Sequence, residues 1–131
     1  MTVIGVIAVA AAIAGSTDSD TVRYVAHATD PYRGPVAYSD KKLQRVFYVE
    51  SDGQHLSCIG FDGKVMWTRV PFVDGRLKPY RMEKPRIVSI GQPLPWMLAK
   101  TKGTFVAINF ESTQFGIVDA DSGTFYFLGQ D

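Results

Sequence analysis

Three tight turns constrain this chain more than any other feature. Asp52-Gly53, Asp62-Gly63 and Ser122-Gly123 each supply a glycine for positive φ, and each sits between runs in which apolar and polar residues alternate. Alternation with period two sends successive side chains to opposite faces, which is the signature of a strand and not of a helix. The pattern predicts strands near Thr21–Ala26, Gly34–Ser39, Arg45–Glu50, His55–Gly60, Lys64–Val70, Arg86–Ile90, Thr104–Asn109, Gln114–Asp119 and Thr124–Leu128. Strands this short and this regularly punctuated pair with their chain neighbours, so the sheets are expected to be antiparallel. Beyond residue 20 no amphipathic helix is visible, and the segment 94–103 has room for one helical turn. With 131 residues, 46% apolar and 12% aromatic, the chain has enough material for the core of one domain.

A weak internal repeat runs through these strands. Sliding the chain by 59 positions lays RVFYVESDGQHLSCIGFD over TFVAINFESTQFGIVDAD without a gap, placing Val49 on Ile108, Leu56 on Phe115 and Cys58 on Ile117. One inserted residue, Ser122, then brings Gly63 onto Gly123 and Trp67 onto Phe127. Each copy reads strand, turn, strand, Asp-Gly or Asp-Ser-Gly turn, strand, over 45–70 and 104–128. The run Gly63-Lys64-Val65-Met66-Trp67 and its counterpart Asp119-Ala120-Asp121-Ser122-Gly123-Thr124-Phe125 resemble the blade repeat of quinoprotein-like (PQQ-type) β-propellers, with Phe127 where the tryptophan would dock. The resemblance covers about 50 of 131 residues and implies a four-stranded blade. It carries over no quinone site, because no residues here correspond to one. A closed propeller needs ~4–8 blades, and this chain has material for two. Two arrangements are open: the strands fold back into a small sandwich or partial barrel within one chain, or several chains assemble side by side. The first is expected, giving a mainly β domain over 18–131 preceded by an apolar N-terminal helix.

That apolar segment is MTVIGVIAVAAAIAGST, uncharged from Met1 to Thr17 apart from the α-amino group. It fits a signal peptide with a small-x-small site at Ala12-Ile13-Ala14, a short membrane anchor, or a buried element. Signal peptide or anchor over 1–17 is the expectation, placing the domain in the cell envelope, on its periplasmic or extracellular side, anchored or secreted.

Catalytic constellations are absent from the sequence. It holds no phosphate-binding glycine loop, no G-x-S-x-G, no H-E-x-x-H and one cysteine, Cys58, set in a strand pattern as a small hydrophobe. His27 and His55 lie far apart in unlike contexts, and Asp119-Ala-Asp121 lacks the further carboxylates of a calcium loop. No catalytic residue, metal ligand or cofactor is nominated.

The net charge of +1 hides a segregation: −2 over 1–63, +7 over 64–102 and −4 over 103–131. This balance does not favour a nucleic-acid-coating protein. Residues 71–96 hold five of the seven prolines, and five cations fall between Arg76 and Arg86. Proline excludes central-strand hydrogen bonding, so this stretch reads as loop or sheet edge separating the two copies. Arg76, Lys78, Arg81, Lys84 and Arg86 are candidates to meet an acidic protein, phosphate or lipid headgroups, with Tyr80 and Trp96 as anchors. Alternatively the charges merely solvate a long crossover. The expected function is a non-catalytic binding or structural accessory subunit of an envelope or surface assembly, contacting a protein partner or another copy of itself. A ligand sensor or an enzyme whose site forms only on assembly, or a virion or secretion-machine component, are the alternatives.

Overall fold

The structure, a computed structural model, describes residues 36–131. The apolar segment 1–17, its expected helix and the strand near Thr21–Ala26 lie outside the described residues. Among the described residues the protein is mainly β, with two four-stranded antiparallel sheets and almost no helix. The first sheet is a meander of β1 (Ala37–Asp40), β2 (Arg45–Val49), β3 (Leu56–Gly60) and β4 (Val65–Arg69). The second is a meander of β5 (Ile87–Gly91), β6 (Phe105–Phe110), β7 (Gln114–Asp119) and β8 (Phe125–Gln130). Between them lie a single helical turn, α1 (Pro71–Asp74), and the connection 75–86. The expected turn in 94–103 is a 3₁₀ turn over Pro95–Leu98. The turn glycines Gly53, Gly63 and Gly123 have φ of +74°, +89° and +80°.

The α1 turn was not legible in the alternation. Pro71 occupies its first position, where a missing N–H costs nothing. Asp74 then accepts a hydrogen bond from the Val70 N–H at 3.0 Å, and Phe72 is buried against Phe110 in an edge-to-face contact at 5.8 Å.

The inner faces of both sheets share one core. In the first sheet a single cross-strand row, Tyr38–Phe47–Cys58–Trp67, runs from edge to edge. Phe47 stacks on Tyr38 at 6.4 Å and tilts against Trp67 at 6.2 Å. The small thiol between the last two leaves room for the indole. The second sheet contributes Val106, Ile108, Phe110, Val118, Ala120 and Phe125. Its other face is also apolar: Phe105, Ala107 and Ile117 lie beneath Met97 and Leu98 of the 3₁₀ turn and beside Leu128.

Strand pairing corrects the gapless slide by 59 positions. Phe47 pairs with Cys58, whereas Val106 pairs with Val118. Matching the sheets by pairing therefore sets Cys58 against Val118, not Ile117, and Leu56 against Gly116, not Phe115. The extra residue of the second sheet sits in its β6–β7 turn. Trp67 lies opposite Cys58 as Phe125 lies opposite Val118. Phe125 is accordingly the buried aromatic of β8, and Phe127, aligned with Trp67 in the slide, is 46% exposed. Sequence alternation gives the face of each strand but not how many residues its turn consumes.

A main-chain oxygen joins the two sheets. The Trp67 indole Nε1–H donates to Ala120 O at 2.9 Å, and Arg45 Nη1 donates to the same oxygen at 3.1 Å. Arg45 also reaches Asp121 Oδ1 at 2.7 Å. Gly123 lies against the indole, and a Cβ there would stand 2.8 Å from Trp67 Cδ2. Trp67→Phe removes the indole donor from a buried acceptor and is expected to lower the unfolding free energy by ~1–3 kcal/mol. Gly123→Ala adds a left-handed penalty of about 1–2 kcal/mol before any clash. Denaturant unfolding followed by far-UV circular dichroism measures both, and a Trp67→Phe midpoint equal to wild type would refute the joint.

Candidate functional site

The connection 75–86 is fastened at both ends and exposed in the middle. At its start Leu77 packs against the shared core, and its N–H donates to Phe72 O at 3.0 Å. The buried Gln114 of β7 donates from Nε2 to Lys78 O at 2.9 Å while its Oε1 accepts from Ser112. At the far end Gln54 Nε2 donates to Pro85 O at 2.9 Å and the Ile87 N–H to Gly53 O at 2.8 Å. Arg76 and Arg81 hold φ of +54° and +69°. Two non-glycine residues in this sparsely populated region fix sharp changes of direction in the connection.

The structure divides the seven residues singled out from the sequence. Arg76 and Lys78 lie side by side along an open groove of about 460 Å³ between the connection and β8, with Gln114, Phe127 and Gln130. Tyr80 and Arg81 turn toward the chain end: the Tyr80 hydroxyl and Arg81 Nη2 both donate to the main-chain oxygen of Asp131. Arg81 also lies over the Tyr80 ring, 5.2 Å from its centre. Lys84 is exposed, and its carbonyl accepts from Gln54 at 3.3 Å. Arg86 packs beneath Gly53, and its Nε stands 3.6 Å from Glu111 Oε1, so it holds the sheets together. Trp96 is elsewhere. It meets Phe115 edge-to-face at 6.2 Å on the outer face of the second sheet, and Phe115 follows Gln114 on β7, which places the two on opposite sides.

Arg76, Lys78 and Lys84 have no carboxylate within ion-pair distance among the described residues. Cations without partners beside an open groove form an anion-attracting surface. Phe127 was absent from the sequence-derived set because the repeat assigned it to the core. Its half-exposed ring lines the groove beside the two cations.

The remaining reactive side chains are occupied structurally. Asp52 accepts from the N–H groups of Gln54 and His55 and lies 2.6 Å from the His55 ring. Burial pushes its carboxyl up, but these hydrogen bonds and the imidazole outweigh that and leave it below the usual carboxylate value. Asp119 Oδ1 caps its own turn, accepting from Asp121 N at 2.8 Å and Ser122 N at 3.1 Å. His27 lies outside the described residues. Among the described residues no three His, Cys, Asp or Glu side chains converge, and no helix is long and apolar enough to cross a membrane. Comparison of the chain with protein-family models, curated proteins and solved structures finds no match.

Cys58 is fully buried in the aromatic row. Burial pushes its thiol up to about 11, against a smaller opposing pull from Arg45 and a push in the same direction from Asp121. Because the folded value lies above the unfolded one, the neutral thiol favours the folded state below pH about 9, and that contribution is lost as pH rises through about 11. The stability advantage of the wild type over Cys58→Ala should therefore shrink between pH 8 and pH 10.5, as read from denaturant midpoints. An advantage constant across that range would contradict a buried neutral thiol.

Proposed function

We propose that this domain works by binding and not by catalysis, as a structural or accessory subunit of a cell-envelope or surface assembly, with the basic connection as its contact surface. The observation that carries the reading is the set Arg76, Lys78 and Lys84: exposed, without carboxylate partners among the described residues, and carried on a backbone tied down on both sides. A loop that only bridged two sheets would not need this fastening, and charges that served only solubility would not need to gather on one fixed segment. Loops held by a rigid scaffold are where binding residues concentrate. Of the seven residues considered, Arg86 serves the fold, Tyr80 and Arg81 shape the end of the connection, and Trp96 belongs to another face.

Each sheet acts in this reading as one blade-like unit, and the pair forms a small two-sheet body that buries its inner faces within one chain. The placement in the envelope rests on the uncharged run from Met1 to Thr17 and the short Ser/Thr/Asp stretch after it. A protein partner is favoured over nucleic acid because the excess of cations lies in one stretch, 64–102, while the net charge is +1.

The test is retention of detergent-solubilised envelope protein from the source organism on the immobilised domain at rising salt. Each exposed ion pair is worth up to about 1 kcal/mol, so Arg76→Glu/Lys78→Glu/Lys84→Glu together should lower retention by about tenfold. Lys100→Glu/Lys102→Glu, which changes the charge away from the connection, should leave retention unchanged. Equal losses in both variants, or none in either, would overturn the reading.

A further inference from the structure

We propose that the groove beside β8 takes an extended peptide that alternates acidic and apolar residues, added as a fifth strand to the second sheet. This deepens the proposed function and rests on its reading of the connection as the contact surface. β8 ends the order β5-β6-β7-β8, so one side of it has no strand neighbour among the described residues. The Asp119 N–H donates to Thr124 O at 2.9 Å and the Gly123 N–H to Asp119 O at 2.8 Å, which sets Asp119 and Thr124 on the hydrogen-bonded side of the β7–β8 ladder. Along an antiparallel ladder hydrogen-bonded and non-bonded pairs alternate. The next pairs in the non-bonded class are Phe125 with Val118 and Phe127 with Gly116, so the N–H and C=O groups of Phe125 and Phe127 face away from β7. Among the described residues no hydrogen bond reaches them from another element. Open main-chain groups at a sheet edge are a template for an added strand.

The two sides of this edge differ in chemistry, and that difference selects the peptide. On the inner side Phe127 faces the groove with Arg76, Lys78 and Gln130, and no carboxylate side chain lines it. On the outer side Tyr126 is 45% exposed against Phe105, with Leu128 beside the apolar cluster. A strand laid along β8 sends alternate side chains to these two sides. Side chains on the inner side would meet two cations, and those on the outer side would meet an aromatic ring and a leucine. Charge complementarity calls for carboxylates inward and apolar groups outward. The six residues of β8 span roughly 20 Å, room for a peptide of similar length.

The probe is a fluorescein-labelled hexapeptide of alternating glutamate and valine, titrated with the full chain and followed by anisotropy. Saturable binding that weakens as salt rises is expected. Arg76→Glu/Lys78→Glu should weaken it at least about fivefold, while Lys100→Glu/Lys102→Glu leaves it intact. A hexapeptide with the same side chains but alternate N-methylated amides keeps every charge and loses the strand-pairing donors. It should bind at least tenfold more weakly in the register that places those amides against Phe127. Equal affinity for the methylated peptide overturns strand addition. If the charge reversals still weaken binding in that case, the connection stands as the contact surface. Binding lost equally in the Lys100/Lys102 variant, carried equally by free glutamate or inorganic phosphate, or absent throughout also overturns the proposal.

Discussion

The carbonyl of Ala120 is where the two sheets are held in register. It lies just past the end of β7, where Asp119 caps the turn and the Ala120 N–H is taken by Thr104 O at 2.8 Å. Its oxygen receives the Trp67 indole and the Arg45 guanidinium, both from the first sheet. A buried carbonyl left without donors costs more than the bond it forgoes, because its desolvation is no longer offset. The sheets therefore cannot slide over one another without exposing that cost. Hydrophobic burial, which is non-directional, would tolerate such a slide. The core supplies the attraction between the sheets, and this acceptor, together with the Arg45–Asp121 pair and the Ile87 N–H to Gly53 O bond, sets their alignment.

That alignment explains why the sheets are unequal. The first sheet carries Tyr38, Phe47 and Trp67 on its inner face, in one cross-strand row, and Tyr48 on its outer side. Its outer side includes Ser57, which donates to Glu50 and shares a hydrogen bond with Thr68. The second sheet is apolar on both faces and needs a cover, which Met97 and Leu98 provide from the 3₁₀ turn. A strand buried on both sides loses the polar alternation that marks a half-buried one. β6, with Phe105, Val106, Ala107 and Ile108 all buried in succession, is such a strand.

The strands were legible because turn glycines and period-two alternation are local properties, readable without knowing what packs where. Eight of the predicted strands fall at least partly among the described residues, and each appears there within a few residues of its expected bounds. The pairing between strands was not legible to the same degree. One additional residue in the β6–β7 turn moved Ile117 to the outer face. A stretch between Val118 and its partner two residues shorter than that between Cys58 and Trp67 put Phe125, not Phe127, in the core. A one-residue error in register reverses every side chain on a strand. The candidate site was partly legible. Composition drew attention to the cations of 76–86, but their division into free, fastening and core-supporting residues depends on partners distant in sequence. Glu111 for Arg86 and the Asp131 oxygen for Arg81 are 25 and 50 positions away.

The position of the cations follows from how little uncommitted surface the fold leaves. Each strand of a small two-sheet protein gives one face, and on β6 both, to a core, so charged side chains must go to edges and connections. The acidic residues of the second sheet lie largely at strand ends and turns, where Glu111, Asp119 and Asp121 cap main chain or pair with Arg86 and Arg45. Their negative charge is thereby used within the fold. Arg76 and Lys78 of the connection line the groove beside β8 with no carboxylate partner among the described residues. Basic side chains and strand amides without a partner among the described residues lie on the same border, and the proposed extended acidic segment would meet both. The electrostatic and the hydrogen-bonding requirements of that border agree.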